Sequence, residues 1–537
     1  TDIYTLSLHD ALPISWQALP ESIRQKYTFE AEKLPGYNWP DLPATLFLEF
    51  RRNGNRSHYE KPHFERRTRL GQLVLAECME GRGRFLDDIS NGIWAICEES
   101  FWGLPAHMSA QKAGNGLPDI AEPIVDLFAA ETASLLAWTH YLLGEQLDSV
   151  SPLIRPRIRL EIERRMLQPC RTREDFGWMG FHDRSVNNWN PWINSNWLAC
   201  VLLMEQDKET RDRTVVKILK SLDRFLAGYG DDGGCDEGPS YWGRAGASLF
   251  DNLELLHSAS NGQLNFYQAP LVQEIGRYIY RVHIAGHYFV NFADGPGVLT
   301  PTAELVYRYG KRINDSRMMQ LGLFLPRSSG IGRIASIGRE LAGLWDPMPA
   351  AATPATAPLI RDHFFKDVQV MVARAQAGSS KGLYVAAKGG HNAESHNHND
   401  IGHYVIYLDG QPMIVDAGVG TYTAKTFSPQ RYEIWTMQSA YHSLPTIDGV
   451  MQAPGREFAA RAVRYTADNS KAELQLDIAA AYPAEAHLQN WLRTIRLQRN
   501  EHVMVKENYR LTAQAREITL SWLRSEEHTS ELQSPNT

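Results

Sequence analysis

Two different periods of hydrophobic residues divide the sequence near residue 350. From about residue 60 to 345, apolar residues recur at three- and four-residue spacings between breaks at Gly, Pro and Asn, which is the period of amphipathic helices. We expect helices within four segments, at 124–144, 156–167, 213–230 and 270–286. Each has one apolar stripe and ends at or near Gly or Pro, which favours helices packed side by side over a coiled coil.

Strand-like runs replace the helical period after the Pro- and Ala-rich segment 346–359, whose composition is typical of a linker. The runs lie at 367–375, 382–389, 403–418 and 472–482. The third run is interrupted by Asp409-Gly410, a good two-residue hairpin turn. Helices first and strands afterwards predict an α+β chain with separate domains, not an alternating α/β sheet.

Both ends of the chain differ from the rest. Residues 5–14 read TLSLHDALPI and residues 524–534 read RSEEHTSELQS, and both resemble translated sequencing-adapter DNA. We therefore set residues 1–15 and 524–537 aside as adapter-derived. We expect a natural start, with any signal peptide, to lie upstream of what is visible, and the C-terminus to be truncated.

The length and composition allow two or three domains. A chain of 537 residues with 43% hydrophobic residues can bury more than one core. The predicted organisation is a helical domain at 16–345, a linker at 346–359 and a β-domain at 360–523. The five cysteines are scattered, odd in number and without CxxC pairing, so we expect buried, unpaired thiols rather than a disulfide framework.

The charge balance limits the possible partners. A formal net charge of −7 argues against non-specific nucleic-acid binding, and no stretch is apolar enough to span a bilayer. A polyanionic substrate would need a local basic cleft. The Arg-rich stretch at 51–69 could supply part of one, with a solvated helix face as the alternative.

The strongest local signal for chemistry lies in the β-domain. His396 and His398 are two residues apart, so in an extended segment both imidazoles leave the same face. Asp416 follows one hairpin later, and His442 lies in an apolar stretch that indicates a buried strand end. Two imidazoles and a carboxylate are a normal ligand set for Zn²⁺. For the HxH pair alone, hydrogen-bonded surface histidines are the alternative.

A second constellation lies in the helical half, in the polar breaks at 183–197 and 231–246. Breaks of this kind between helices are the usual place for a substrate cleft. They contain Asn187, Asn188 and Tyr241. The alternatives are that the asparagines cap helices and that the tyrosine belongs to the core.

Both constellations resemble the heparinase II/III-like family of polysaccharide lyases. The resemblance rests on GGHNAESHNHNDIGHYVIYLDGQPMIVDAGVG at 389–420, RYEIWTMQSAYHSLPTIDG at 431–449, the NNWN segment and EGPSYW. It implies an N-terminal α/α toroid, an incomplete helical barrel, followed by an antiparallel β-sandwich. It also implies zinc on His398, Asp416 and His442, with His396 facing the cleft. We expect this zinc to support the loop carrying His396 rather than to act as a Lewis acid.

The resemblance implies cleavage of a uronic-acid polysaccharide by β-elimination, which leaves an unsaturated uronate end. The substrate carboxylate must be neutralised by a donor, for which we expect Asn188 or Asn187. The choice stays open because some family members carry His where Asn188 stands. Tyr241 is the expected general acid, and also the base when both groups share a face. His396 is the expected base on the other face, or a carboxylate-binding group.

Further residues are expected to contact the sugar chain. They are Trp102, His107, Trp189, Arg244 and Asn399. Arg244 or His396 could also supply the positive charge that Tyr241 needs to act as a base. Trp102 and His107 lie in FWGLPAH, and packing in the helical core is the alternative for both.

The expected substrate is a glycosaminoglycan such as heparan sulfate, hyaluronan or chondroitin, with alginate or oligoalginate second. One rival prediction is a glycoside hydrolase using Asp236 and Glu237. Another is a non-catalytic carbohydrate-binding protein. The resemblance also implies a bacterial protein that is periplasmic or secreted. The sequence does not predict an oligomeric state.

Overall fold

The computed structural model describes residues 16–33, 36–182, 186–327, 336–349 and 355–525. The chain divides into two compact units, each built from separate stretches of sequence. The first unit comprises the described parts of Thr1–Gly228, Ala247–Phe266 and Pro326–Met348, and the second those of Tyr229–Gly246, Tyr267–Leu325 and Pro349–Thr537. The continuous domain limits expected from the sequence stay a prediction. Residues 1–15, 350–354 and 526–537, on which the adapter and linker predictions fall in whole or part, lie outside the described residues.

The first unit is helical. Its helices are α1 Glu21–Ala31, α2 Ala44–Phe47, α3 Glu49–Asn53, α4 Ser57–Glu80, α5 Leu86–Cys97, α6 Leu127–Val150, α7 Ile154–Ile162, α8 Gln168–Thr172, α9 Trp189–Met204, α10 Lys208–Gly228, α12 Gly246–Ala259 and α16 Ile337–Trp345. A π-helical turn, Glu163–Leu167, joins α7 to α8. The helices predicted at 124–144, 156–167 and 213–230 are confirmed. The start of α6 is fixed by Asp126, whose carboxylate accepts the backbone N–H groups of Phe128 and Ala129.

The second unit begins with short helices and a small hairpin. They are α11 Gly238–Trp242, α13 Pro270–Arg281, β1 His283–Ala285, β2 Tyr288–Phe289, α14 Ala303–Arg312 and α15 Ser316–Phe324. The helix predicted at 270–286 is confirmed only to Arg281. The residues after it pair as a strand, so the apolar run that looked like the last helical turn belongs to β1.

The strands that follow form two main antiparallel sheets. They are β3 Asp362–Phe365, β4 Val370–Arg374, β5 Leu383–Lys388, β6 His391–Asn392, β7 Tyr404–Leu408, β8 Gln411–Ile414, β9 Pro445–Ile447, β10 Gly455–Ala459, β11 Arg461–Ala467, β12 Lys471–Asp477, β13 Leu488–Gln498, β14 His502–Leu511 and β15 Ile518–Leu520. One sheet has the order β3-β4-β5-β7-β8 and the other β11-β12-β13-β14. Pairs β6–β10 and β9–β15 lie beside them.

The two sheets share one hydrophobic core. Met371 and Val385 of the first sheet belong to the same buried cluster as Leu474, Trp491 and Ile495 of the second. Strand β12 alternates buried and half-buried residues along its length, the pattern of a strand with one face in a sandwich. All four predicted strand segments contain strands, and the segment 403–418 forms the β7–β8 hairpin.

The turn between β7 and β8 has the backbone conformation predicted for Asp409-Gly410. Asp409 and Gly410 have φ of 51° and 80°, as a turn with two left-handed residues requires. The side chain of Asp409 also accepts the backbone N–H of Gly382 at 2.7 Å.

Other expectations have mixed outcomes. All five cysteines are buried and unpaired, as predicted. Two arginines of the Arg-rich stretch, Arg66 and Arg67, are buried and paired with Glu99, so these two belong neither to a basic cleft nor to a solvated face. Among the helices that the structure describes, none is both long and apolar enough to cross a membrane.

Candidate active site and metal centre

Tyr241 is placed by the short helix α11. Gly238 starts this helix with φ of 84°, and a Cβ there would lie 2.6 Å from the carbonyl oxygen of Phe292. Only glycine permits this close approach. Trp242 holds the helix from its other side, since its side chain is buried and its indole N–H donates to the carbonyl of Ile275 at 2.7 Å. The half-buried Tyr241 is thereby fixed close to the segment that follows Phe292.

That segment carries Asp294, a buried carboxylate with four charged or polar partners. Its Oδ2 accepts hydrogen bonds from His396 Nδ1 at 2.7 Å and from the Tyr422 hydroxyl at 2.9 Å. Its Oδ1 lies 3.0 Å from His398 Nε2 and accepts from Arg431 Nη2 at 2.7 Å. One carboxylate therefore holds both histidines of the HxH pair.

The Asp294 carboxylate stays ionised. Burial alone would raise its pKa, but hydrogen bonds from His396 and His398 and the charge of Arg431 outweigh burial and hold the pKa well below its usual range. An ionised carboxylate accepts hydrogen bonds and donates none. Tyr422 is therefore the donor in its bond to Asp294.

Tyr422 links Asp294 to Tyr241. The two tyrosine hydroxyls are 2.8 Å apart. Because the Tyr422 hydroxyl donates its hydrogen bond to Asp294, Tyr241 is the donor between the two tyrosines and keeps its own proton. Burial, followed by the neighbouring Tyr241 and Asp294, raises the pKa of Tyr422 far above its usual value. Tyr422 therefore acts as a neutral acceptor for the Tyr241 proton.

His396 stacks on Tyr241. The ring centroids are 3.9 Å apart with 27° between the planes, and His396 Nε2 lies 3.3 Å from Glu237 Oε2. Both ring nitrogens thus face carboxylate oxygens. The expectation of an extended HxH segment was wrong. His396 has φ of 57° and lies in a loop between β6 and β7, and the two histidines converge on Asp294 instead of sharing a sheet face.

The three predicted metal ligands come together. One ligand atom from each of His398, Asp416 and His442 lies within 4.8 Å of the others, and all three residues are buried. His398 Nδ1, Asp416 Oδ2 and His442 Nδ1 have no hydrogen-bond partner among the described residues. Buried polar atoms without partners are costly, and three that face one another are satisfied by one shared cation.

The surroundings prepare these atoms for a metal. His398 Nε2 is held by Asp294 at 3.0 Å, and His442 Nε2 by the carbonyl of Thr436 at 3.1 Å. Each bond fixes the proton on Nε2 and leaves the Nδ1 lone pair for an ion. Burial would raise the pKa of Asp416, but the neighbouring His442 and His403 outweigh it and keep the pKa well below its usual range. The donor set therefore fits Zn²⁺.

His403 is a third buried histidine at this centre and was not predicted. Its Nδ1 accepts the backbone N–H of Ser443 at 2.9 Å, which places the imidazole proton on Nε2. That nitrogen lies 3.2 Å from Asp416 Oδ2. A protonated nitrogen cannot bind a metal, so His403 is a neighbour of the carboxylate and not a ligand; the two atoms do not form a hydrogen bond.

The predicted asparagines lie in the first unit. Asn187 is half-buried, and its Oδ1 accepts the backbone N–H of Trp189 at 3.2 Å, as the capping alternative expects. Asn188 is 1% exposed and is the N-terminal boundary residue of α9. Residues 183–185, at the start of this predicted segment, lie outside the described residues.

The predicted sugar contacts of the first unit separate into two groups. Trp102 is 1% exposed, and its indole N–H donates to the carbonyl of Ile96, which favours the packing alternative. His107 and Trp189 are half-buried and meet edge to face at 4.7 Å. His107 also bonds to Asp126 at 2.6 Å. These two residues remain candidates for a sugar contact.

The predicted sugar contacts of the second unit also differ from each other. Arg244 is half-buried and lies one turn after Tyr241. Its backbone N–H donates to the carbonyl of Tyr241 at 2.8 Å. Asn399 is 3% exposed, and its side chain donates to the carbonyl of Gln452. Its position favours support of the loop 393–403 between β6 and β7, called the histidine loop below, over contact with sugar.

Comparison with known proteins gives a family for the C-terminal part. The family model described as heparinase II/III-like, C-terminal, matches residues 359–536. This part of the chain is similar to the heparinase II/III-like family. For residues 359–536, the match confirms the resemblance predicted from the two histidine-containing segments. No curated protein matches the sequence.

Solved structures agree on the fold of the whole chain. It is similar to heparinase III in a crystal structure, with a TM-score of 0.65 at 12% identity over 99% of this chain and 76% of that chain. It is also similar to a mutant of the heparan sulfate lyase HepC from Pedobacter heparinus, with a TM-score of 0.57 at 14% identity over 95% and 72%. The predicted fold class, an α/α toroid followed by an antiparallel β-sandwich, is confirmed.

Proposed function

We propose that this chain cleaves a uronic-acid-containing glycosaminoglycan by β-elimination, with the chemistry at Tyr241 and His396. The observation that carries the proposal is the hydrogen-bonded series from Tyr241 through Tyr422 to Asp294 and back to His396. In β-elimination the C5 proton leaves, the C4–O bond breaks and a C4–C5 double bond forms. The leaving oxygen must receive a proton.

Tyr241 is the proposed general acid. Its hydroxyl keeps its proton in the resting enzyme, because its partner Tyr422 donates to Asp294. When Tyr241 gives this proton to the leaving oxygen, Tyr422 can turn its own O–H toward the phenolate. That bond stabilises the phenolate charge. When the two groups share a face, it is this phenolate form that first takes the C5 proton and then returns it to the leaving oxygen as the C4–O bond breaks.

His396 is proposed to bind the substrate carboxylate or to act on the opposite face. The Asp294 carboxylate on Nδ1 fixes the ring, and Nε2 points to Glu237. A substrate carboxylate that displaces Glu237 from Nε2 would meet an oriented N–H donor. The second donor is proposed to be Asn188 or Asn187, as the family resemblance implies.

Zinc on His398, Asp416 and His442 is proposed to be structural. When bound, it fixes three buried side chains and with them the loop between β6 and β7. Asp294 connects this centre to the catalytic residues, since it holds His398 and His396 with its two oxygens. Proton transfer is left to Tyr241 and His396.

Heparan sulfate is the proposed first substrate. Two solved structures of similar fold are described as heparinase III and as a heparan sulfate lyase. Hyaluronan and chondroitin follow, and alginate is the alternative outside the glycosaminoglycans. A bacterial periplasm or the extracellular space is the proposed location, because such polymers occur outside the cell.

The hydrolase alternative is disfavoured by where its two carboxylates point. Asp236 accepts the backbone N–H of Ser395 at 3.1 Å, and Glu237 faces His396. Both carboxylates therefore hold the histidine loop, and neither is placed opposite the other across a space for a glycosidic bond.

The test is ultraviolet absorbance of the unsaturated uronate on incubation with heparan sulfate, hyaluronan, chondroitin or alginate. We expect product from one polymer, and Tyr241→Phe should lower kcat by at least about 100-fold, the usual share of a general acid. Tyr422→Phe is the matched control, since it removes a neighbouring hydroxyl but leaves Tyr241, and a smaller loss is expected. No unsaturated product from any polymer, with zinc supplied and the protein folded, would exclude this function.

A further inference from the structure

Three large aromatic side chains are exposed on the segment that joins β8 to β9. The exposed fractions are 56% for Phe427, 50% for Trp435 and 44% for Tyr441. Exposed apolar surface concentrated on one segment and surrounded by polar residues is typical of a binding surface. Among the described residues between 419 and 443, the segment has only short one-turn helices, so packing into a sheet does not explain these rings.

Phe427 lies against the proposed catalytic residues. Its ring centroid is 5.5 Å from that of His396 and 5.0 Å from that of Tyr422, edge to face in both cases. Its remaining, exposed surface therefore borders the place where the reacting sugar must lie if Tyr241 and His396 act on it.

The segment runs along the histidine loop and is fastened to it. Arg431 Nε donates to the carbonyl of Asn397 at 2.9 Å, and the Asn397 side chain donates to the Tyr432 hydroxyl at 3.1 Å. The backbone N–H of Asn399 donates to the carbonyl of Met437 at 3.0 Å. The exposed rings are therefore carried on a fixed support that is continuous with the catalytic site.

Trp435 and Tyr441 form a second element of this surface. Their ring centroids are 5.3 Å apart at 73°, and each ring keeps about half of its surface exposed. The charges of the segment are largely paired, since Lys425 binds Glu433 at 2.7 Å and Arg431 binds Asp294. The segment thus offers apolar faces rather than a cationic site for sulfate groups.

We propose that Phe427 and the Trp435–Tyr441 pair bind the pyranose rings of the acidic polysaccharide, Phe427 at the cleaved linkage and the pair at a ring further along the chain. The C–H groups on one face of a pyranose present an apolar surface, which an aromatic ring covers well while the hydroxyls stay in water. The inference rests on the proposed lyase function, because it assigns the occupant of a surface continuous with that site.

The experiment measures kcat and KM on heparan sulfate chains and on a heparan sulfate tetrasaccharide. Phe427→Ala should lower kcat/KM by about tenfold on both, the usual size of one lost stacking contact, whereas Phe427→Tyr keeps the ring and should stay within about twofold. Trp435→Ala should act on the long chains and spare the tetrasaccharide. Tyr509→Ala, an exposed ring on β14 that stacks on Trp491, is the control and should change neither.

Calorimetric measurement of heparan sulfate binding distinguishes failure of the aromatic-surface proposal from failure of the lyase proposal. Native turnover by Phe427→Ala, in an active wild type, would overturn the aromatic surface and leave the lyase proposal standing. An inactive wild type that binds heparan sulfate, with weaker binding by Phe427→Ala, would overturn the lyase proposal and support the surface. Equal binding of heparan sulfate by the wild type and by Phe427→Ala, or no binding by either, would overturn the aromatic-surface proposal. Unchanged thermal midpoints show that the variants are folded.

Discussion

Two polar clusters of the second unit contain the same residue types but differ in how their polar atoms are paired. In the metal centre, His398, Asp416 and His442 are buried and turn atoms without partners toward one another. In the catalytic cluster, Tyr241 is half-buried, and His396 and Tyr422 meet partners at hydrogen-bond distance. The first cluster is the one we propose to be completed by a cation. The polar atoms of the second already meet partners, and we propose that it exchanges some of them for a substrate.

The difference shows what decides the role of a histidine. His396 and His398 are two residues apart and share Asp294, yet one presents Nε2 to a carboxylate of the catalytic site and the other presents Nδ1 to the metal centre. The left-handed φ of His396 turns the chain between them. Residue type and spacing are therefore less informative than which nitrogen each partner occupies.

Asp294→Asn should break both clusters at once and have the largest effect. The amide cannot accept from His396 Nδ1, His398 Nε2, Tyr422 and Arg431 as the carboxylate does, and it leaves the charge of Arg431 buried without its partner. We expect kcat to fall by more than about 100-fold and zinc affinity by about 10- to 100-fold. Product formation and zinc titration measure the two effects.

Glu237→Gln is the matched control for Asp294→Asn. Glu237 faces His396 on the side away from the three metal-ligand candidates, so we expect lower activity with unchanged zinc affinity. A variant Asp294→Asn that kept native turnover and native zinc affinity would contradict the idea that one carboxylate couples the clusters.

Removal of the metal should act next most strongly, and first on stability. Three buried ligand atoms would lose their shared cation, and a bound metal stabilises the folded state by mass action. We expect elemental analysis to find one zinc per chain, and we expect a chelator to lower the thermal midpoint by several degrees. His442→Ala should lower the midpoint likewise and make it insensitive to chelator. A midpoint that responds neither to chelator nor to added zinc would exclude a structural metal.

The fold was largely predictable because its elements have strong local signals. The helical period predicted α6 and α10, and the Asp409-Gly410 turn predicted the β7–β8 hairpin. The two units were not predictable, because the stretches that compose each unit are far apart in sequence. Where α13 gives way to β1, an apolar run reads equally well as helix or strand.

The candidate site was predictable where a family motif names its residues, and not elsewhere. Tyr241, His396 and the three metal ligands lie in recognisable segments. Asp294 was missed because it is 102 residues from His396 and stands in a segment without a motif. Tyr422 and His403 lie within or beside those segments, but their roles depend on which atoms approach them in the folded chain. Trp102 illustrates the converse, an aromatic residue in a suggestive segment that the fold buries.

The smallest expected effect concerns the anchor of the histidine loop. Lys388 Nζ lies 3.0 Å from Glu394 Oε2 and 2.7 Å from Asp400 Oδ1, and all three side chains are buried. Burial raises the pKa of Glu394 to about 7, and the charge of Lys388 offsets this only in part. The folded protein therefore holds a proton on Glu394 at a pH where the unfolded chain has released it.

The sign of the pH dependence follows from this raised pKa. The contribution of Glu394 to stability is fully present below its unfolded pKa of 4.5 and is lost as the pH rises through about 7, a change on the order of 3 kcal/mol. Glu394→Gln should flatten the fall in the free energy of unfolding between these limits, measured by urea denaturation at several pH values. Glu501→Gln, whose carboxylate is exposed, should leave the slope as in the wild type. Equal slopes in all three proteins would mean that Glu394 carries no proton in the folded state, and that the loop is anchored by a fully ionised triad at neutral pH.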